Sequence, residues 1–73
     1  MNIQIDIRNS LRCEVRNASP EEIQQLIDAA AALGLAAVPA GEFDDDAPQM
    51  TVVAPTAEIA KLFRDRFRDA FLD

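Results

Sequence analysis

The chain opens with two stretches in which apolar and polar residues alternate. Residues 3–7 (IQIDI) and 11–15 (LRCEV) both place an apolar side chain at every second position, which is the period of a strand with one buried face. A three-residue turn at 8–10 sets Ile7 opposite Leu11 and keeps the apolar side chains together, whereas a two-residue turn mixes the faces. The pattern therefore predicts a β-hairpin with the longer turn.

The next stretch, residues 19–34 (SPEEIQQLIDAAAALG), carries start and stop signals of a helix. Ser19 is a cap residue, Pro20 suits the first helical position, and Glu22 is placed to complete a capping box. Gly34 favours the left-handed conformation that ends a helix. The residues predicted to form the buried face of this helix are Ile23, Leu26, Ile27, Ala30 and Leu33.

The second half of the chain repeats this alternation of strands and helix. Residues 35–38 (LAAV) predict a weak strand at a sheet edge, closed by Pro39, and residues 49–54 (QMTVVA) predict a stronger one. Thr56 then caps a second helix. Its predicted apolar stripe consists of Ile59, Leu62, Phe63, Phe67 and Ala70. Arg66 falls inside this stripe, so it either reaches a carboxylate or marks a contact with a partner.

These elements predict one domain over residues 1–73. The helices and the sheet each have one apolar face, and both faces become buried when the helices pack on the sheet as a second layer. The predicted fold is α/β (α+β): a two-layer sandwich of order ββαββα, with a mainly antiparallel four-stranded sheet and both helices on one face.

The composition is poor in groups that carry chemistry. The chain has no histidine, tyrosine or tryptophan and a single cysteine, Cys13, which belongs to the apolar set of its strand. We therefore predict that the protein is not an enzyme and has no cofactor and no metal site. No apolar run is long enough to span a membrane and no signal sequence opens the chain, so a cytoplasmic protein is expected.

Charge is segregated along the chain. Residues 17–60 contain eight acidic residues and no lysine or arginine, within a net charge of −6. Such a field repels nucleic acid and acidic membranes and favours a basic partner, although acidity also serves solubility.

Half of this acidity lies in one predicted loop, residues 40–48 (AGEFDDDAP). Its carboxylates are Glu42, Asp44, Asp45 and Asp46. Their spacing lacks the alternate ligands and the glycine of a calcium-binding EF-hand loop, so a solvated loop is the default. Phe43 either folds back onto the core or forms an aromatic anchor ringed by carboxylates, as expected where a basic protein docks.

In size, acidity, lack of catalytic residues and compact α/β build, the chain resembles the small phage-borne inhibitors of the anti-CRISPR and nucleic-acid-mimic type. The resemblance implies an inhibitor that binds a basic protein or ribonucleoprotein complex, and no nucleic acid directly. The contacts that this mode of binding implies are Glu42, Asp44, Asp45 and Asp46, joined by Glu21 and Asp28 on the first helix, with Phe43 as the anchor.

Two other functions are compatible with the sequence. One is a structural or accessory domain that forms a homodimer through Val53, Phe71 and Leu72 or through the alanine-rich edge strand, its acidity serving only solubility. The other is a regulatory domain with a small ligand between helix and sheet, for which so thin a domain leaves little room.

Overall fold

The structure is a computed structural model that describes residues 1–39 and 48–71. The described chain forms four strands and two α-helices, in the order ββαββα, and ends in a short 3-10 turn. The bounds are β1 Asn2–Asp6, β2 Asn9–Arg16, α1 Pro20–Leu33, β3 Ala36–Pro39, β4 Met50–Val53, α2 Ala57–Arg66 and the 3-10 turn Arg68–Ala70.

All four strands join one antiparallel sheet in the order β1-β2-β4-β3. The alternating strands place one row of side chains towards the helices, and this row merges with both helices into a single core. The members of this core are Ile3, Cys13, Val15, Leu26, Met50, Val52 and Phe63. The predicted α+β sandwich is therefore confirmed, as is the edge position of β3.

Helix α1 begins and ends as the sequence predicts. The Ser19 hydroxyl oxygen accepts the N–H of Glu22 at 3.2 Å, and the Glu22 carboxylate accepts the N–H of Ser19 at 3.0 Å, which completes the capping box. At the other end Gly34 has φ +81°, a left-handed conformation that side chains with a Cβ rarely adopt.

The rotation of α1 about its axis differs from the prediction. Ala29 and Ala30 are buried with Leu26, whereas Ile27, predicted to be buried, is 43% exposed. Small alanine side chains allow the helix to approach its neighbours closely. The buried arc is consequently centred on Leu26 and the alanines, and Ile27 is left at its border.

The predicted hairpin turn is wrong. Strand β1 ends at Asp6, which pairs with Asn9, and Ile7 and Arg8 form a two-residue turn. Asp6 Oδ1 accepts the N–H of Arg8 at 2.8 Å, and Asn9 Oδ1 accepts the N–H of Leu11 at 3.0 Å. These short polar side chains bend the backbone earlier than the apolar alternation indicates. Ile7 is therefore 99% exposed instead of facing Leu11, while the predicted pairs of Ile3 with Val15 and of Ile5 with Cys13 are confirmed.

Helix α2 is shorter than the stripe predicted for it. It starts at the predicted cap, where Thr56 Oγ1 accepts the N–H of Ile59 at 3.2 Å, and it ends at Arg66. Phe63 is buried, but Leu62 is 51% exposed, so its place in the stripe was wrong. The chain after the helix folds back on it, so that the ring of Phe71 packs edge-on against Phe63 at 5.9 Å.

Candidate protein-binding surface

The exposed side of α1 carries a polar surface with two carboxylates. Glu21, Gln24, Gln25 and Asp28 recur at helical spacing and are all exposed. The Gln24 side-chain amide donates to Asp28 Oδ1 at 3.0 Å, which holds the Asp28 carboxylate against the helix. We call these four residues with Ile27 the α1 surface. Its rigidity comes from the capped helix that carries it.

The carboxylates of the α1 surface are not neutralised by ion pairs. The ion pairs among the described residues join acidic groups to Arg12, Arg16 and the Met1 ammonium, and neither Glu21 nor Asp28 takes part in them. The last turn of α1 carries no basic residue. Glu22, by contrast, is engaged by the helix cap, whose backbone N–H at Ser19 lowers the pKa of Glu22 and favours its ionised form.

Ile27 gives the α1 surface an apolar component. Its side chain is 43% exposed and lies beside that of Gln24, three residues earlier, whereas the side chain of Asp28, the next residue, points about 100° away around the helix. Sequence reasoning assigned Ile27 to the core because it lies within the apolar arc of the helix. Its position at the border of that arc was the only signal that it could be exposed.

A shallow groove of about 240 Å³ separates the α1 surface from the end of α2. Gln25 and Asp28 line it on one side and Arg66 and Phe67 on the other. The sequence pattern placed Arg66 inside the apolar stripe of the second helix. In the structure its side chain is exposed and lies outside the core. Arg66 forms no ion pair with another described residue, so it borders the acidic surface as a cation.

The remaining predicted contact residues divide into those that the structure describes and those that it does not. The loop residues Glu42, Phe43, Asp44, Asp45 and Asp46, and the C-terminal Leu72, lie outside the described residues. Of the predicted dimer contacts, Phe71 packs against the core and bridges to Ile3 beside β1. Val53 lies on the other face of the sheet, in a groove with Val38 and Pro39. Phe71 and Val53 therefore do not share a surface.

Cys13 has the environment predicted for it, since it is buried in the core cluster. Burial raises the pKa of its thiol, and the nearby Arg64 guanidinium opposes this only in part. The thiol is therefore a packing group.

Three further observations bear on function. Within residues 1–39 and 48–71, no cluster of three or more acidic, cysteine or histidine side chains is arranged to hold a metal ion. Among the described helices, none combines the length and the apolar character needed to cross a membrane. Comparison with protein-family models, curated proteins and solved structures finds nothing that matches this chain.

Proposed function

We propose that this chain is a non-enzymatic binding module that engages a basic protein or ribonucleoprotein complex through the α1 surface. The observation that carries the proposal is that exposed Ile27 and two carboxylates without an ion pair among the described residues, Glu21 and Asp28, lie on the exposed side of one capped helix. Protein interfaces commonly combine an exposed apolar residue with charges of one sign on the same side of a helix.

The spacing of the two carboxylates suits a partner that binds nucleic acid. Glu21 and Asp28 lie seven residues apart, which is about 10 Å along a helix axis. Two negative charges fixed at this distance can engage two separate Lys or Arg side chains of a phosphate-binding surface. In this reading the module is an inhibitor acting in the cytoplasm, similar in mode to the phage-borne anti-CRISPR class.

The acidic segment of residues 42–46 enters the proposal through its amino-acid sequence alone. Glu42, Asp44, Asp45 and Asp46 add to the negative field that attracts a basic partner, and Phe43 is a second candidate anchor. Their contribution is tested separately from that of α1, with the charge-neutralised loop variant E42Q/D44N/D45N/D46N.

The test is capture of host proteins on the immobilised chain, quantified for wild type and variants at low and high salt. Glu21→Gln with Asp28→Asn removes both charges with little change in shape, and Ile27→Ser removes the anchor. The matched control is Glu58→Gln with Asp65→Asn, which removes two exposed carboxylates from α2.

We expect the α1 double variant to lower retention of the same basic proteins by roughly two- to thirtyfold, from about 0.2–1 kcal/mol for each exposed charge pair, and Ile27→Ser to lower it by a similar factor. Retention should also fall as salt rises, because these contacts are electrostatic. Equal retention by the α1 variant and the α2 control would contradict the proposal.

A further inference from the structure

Two shallow grooves meet at the end of α2 and share two lining residues. The groove of about 240 Å³ beside the α1 surface is lined by Gln25 and Asp28 on one wall and by Arg66 and Phe67 on the other. A second groove, of about 490 Å³, extends from Arg66 and Phe67 along the 3-10 turn, and its charged lining residues include Asp65, Arg68 and Asp69. Arg66 therefore lies at the boundary between the acidic α1 surface and the end of α2.

Asp28 and Arg66 line opposite walls of the smaller groove but form no ion pair with each other. The Gln24 amide donates to Asp28 Oδ1 at 3.0 Å, which holds this carboxylate against its own helix. Both Asp28 and Arg66 are exposed. Each charge is therefore accessible to a group that enters the groove from solvent.

The end of α2 carries charges of both signs in close succession. Asp65, Arg66, Arg68 and Asp69 are all exposed and all line the larger groove. None of the four takes part in an ion pair among the described residues. A nucleic acid carries a negative charge on every nucleotide, so Asp65 and Asp69 repel it. A uniformly basic chain is repelled in the same way by Arg66 and Arg68.

We propose that Arg66 is a specificity-determining residue, which selects a protein partner whose surface carries a carboxylate beside its basic side chains. A Lys or Arg of the partner then binds Asp28, and an Asp or Glu of the partner binds Arg66 across the same groove. Phe67 lines both grooves and is half-buried, so it gives the contact an apolar part. This inference rests on the function proposed above and narrows the partner from any basic protein to one with charges of both signs.

The selectivity of Arg66 comes from repulsion of the wrong partner. A partner cation at Asp28 enters a groove that Arg66 also lines, so the two cations approach within roughly 10 Å. At this distance two like charges in water change an affinity by about twofold at low salt, and a less polar setting raises the factor. A partner carboxylate near Arg66 replaces this repulsion with attraction. Interfaces that discriminate between partners commonly contain such a repulsive element.

The experiment is titration of the full chain with two flexible peptides of equal length at about 50 mM NaCl, followed by amide chemical shifts. One peptide contains lysine as its only charged residue, and in the other every third lysine is replaced by glutamate. The matched control Lys61→Gln removes a positive charge from α2 outside both grooves, so it reports the effect of net charge. Relative to this control, Arg66→Gln should bind the lysine peptide more tightly and the mixed-charge peptide more weakly, each by roughly twofold or more.

The outcomes separate this inference from the proposed function. If Arg66→Gln and Lys61→Gln change both affinities by the same factors, the inference is wrong and the proposed function stands. If Glu21→Gln with Asp28→Asn leaves both affinities unchanged, or if neither peptide binds, the proposed function fails and the inference fails with it. A third titration uses a short single-stranded RNA, for which we expect no binding. RNA binding that Arg66→Gln abolishes would overturn the assignment of Arg66 to a partner carboxylate.

Discussion

The side-chain amide of Gln49 forms two hydrogen bonds with the backbone of Ala18. Its Oε1 accepts the N–H of Ala18 at 2.6 Å, and its Nε2 donates to the Ala18 carbonyl at 3.2 Å. Ala18 directly precedes the cap of α1, and Gln49 directly precedes β4. A single side chain therefore fixes where the helix leaves the sheet, although 31 residues separate the two positions in sequence.

Gln49→Ala should lower the free energy of unfolding by about 1–2 kcal/mol, because it removes both hydrogen bonds. Gln49→Glu should lie between wild type and Gln49→Ala, since a carboxylate accepts from the Ala18 N–H but has no donor for its carbonyl. Urea denaturation measures both. Gln25→Ala, an exposed change on α1, is the control and should stay within about 0.5 kcal/mol. Equal effects of Gln49→Ala and Gln25→Ala would contradict this role.

The capping box predicts how stability depends on pH. The Ser19 N–H lowers the pKa of Glu22, so the ionised carboxylate stabilises the folded state above the titration range of an unfolded glutamate. This contribution should be lost as the pH falls from roughly 5 to 3. Glu22→Gln keeps a capping side chain without titrating, so the stability difference from wild type should shrink over this range.

The measurement is the free energy of unfolding of both proteins from neutral pH to acid. Glu21→Gln removes the adjacent carboxylate, which forms no hydrogen bond to the cap, and is the matched control. A difference between wild type and Glu22→Gln that does not change with pH would rule out the cap as its source.

Two isoleucines of the first hairpin should differ strongly in how much stability their truncation costs. Ile3 is fully buried, whereas Ile7 is 99% exposed at the turn. Ile3→Ala should cost about 2–5 kcal/mol through lost burial and a cavity, while Ile7→Ala should change stability by less than about 0.5 kcal/mol. Thermal or urea unfolding measures both. A large loss on Ile7→Ala would instead support the three-residue turn.

Truncation of Phe71 should reduce stability, because the residue belongs to the packed interior. Its ring packs against Phe63, and its backbone bridges to Ile3 in parallel. Because the side chain is only half-buried, Phe71→Ala should cost about 2 kcal/mol, less than a fully buried phenylalanine. Urea denaturation measures the loss. A free energy of unfolding equal to that of the wild type would contradict the packing role of Phe71.

Local signals in the sequence were enough to place most elements of the fold. The Ser19 capping box and Gly34 set both ends of α1, and Thr56 set the start of α2. These signals need only neighbours within a few residues, so a sequence contains them in full. The alternation in residues 11–15 likewise predicted that Cys13 and Val15 are buried, since that depends on the period of the strand alone.

The exposed residues that matter for binding were decided by tertiary packing. The rotation of α1 onto its alanines exposes Ile27, and the polar contacts of Asp6 and Asn9 expose Ile7. The antiparallel addition of β4 to β2 and of β3 to β4 brings Val38 and Val53 together. The sequence by itself determined which segments form strands and helices. Only the tertiary structure decided which of their side chains remain exposed, because that depends on how distant segments pack against one another.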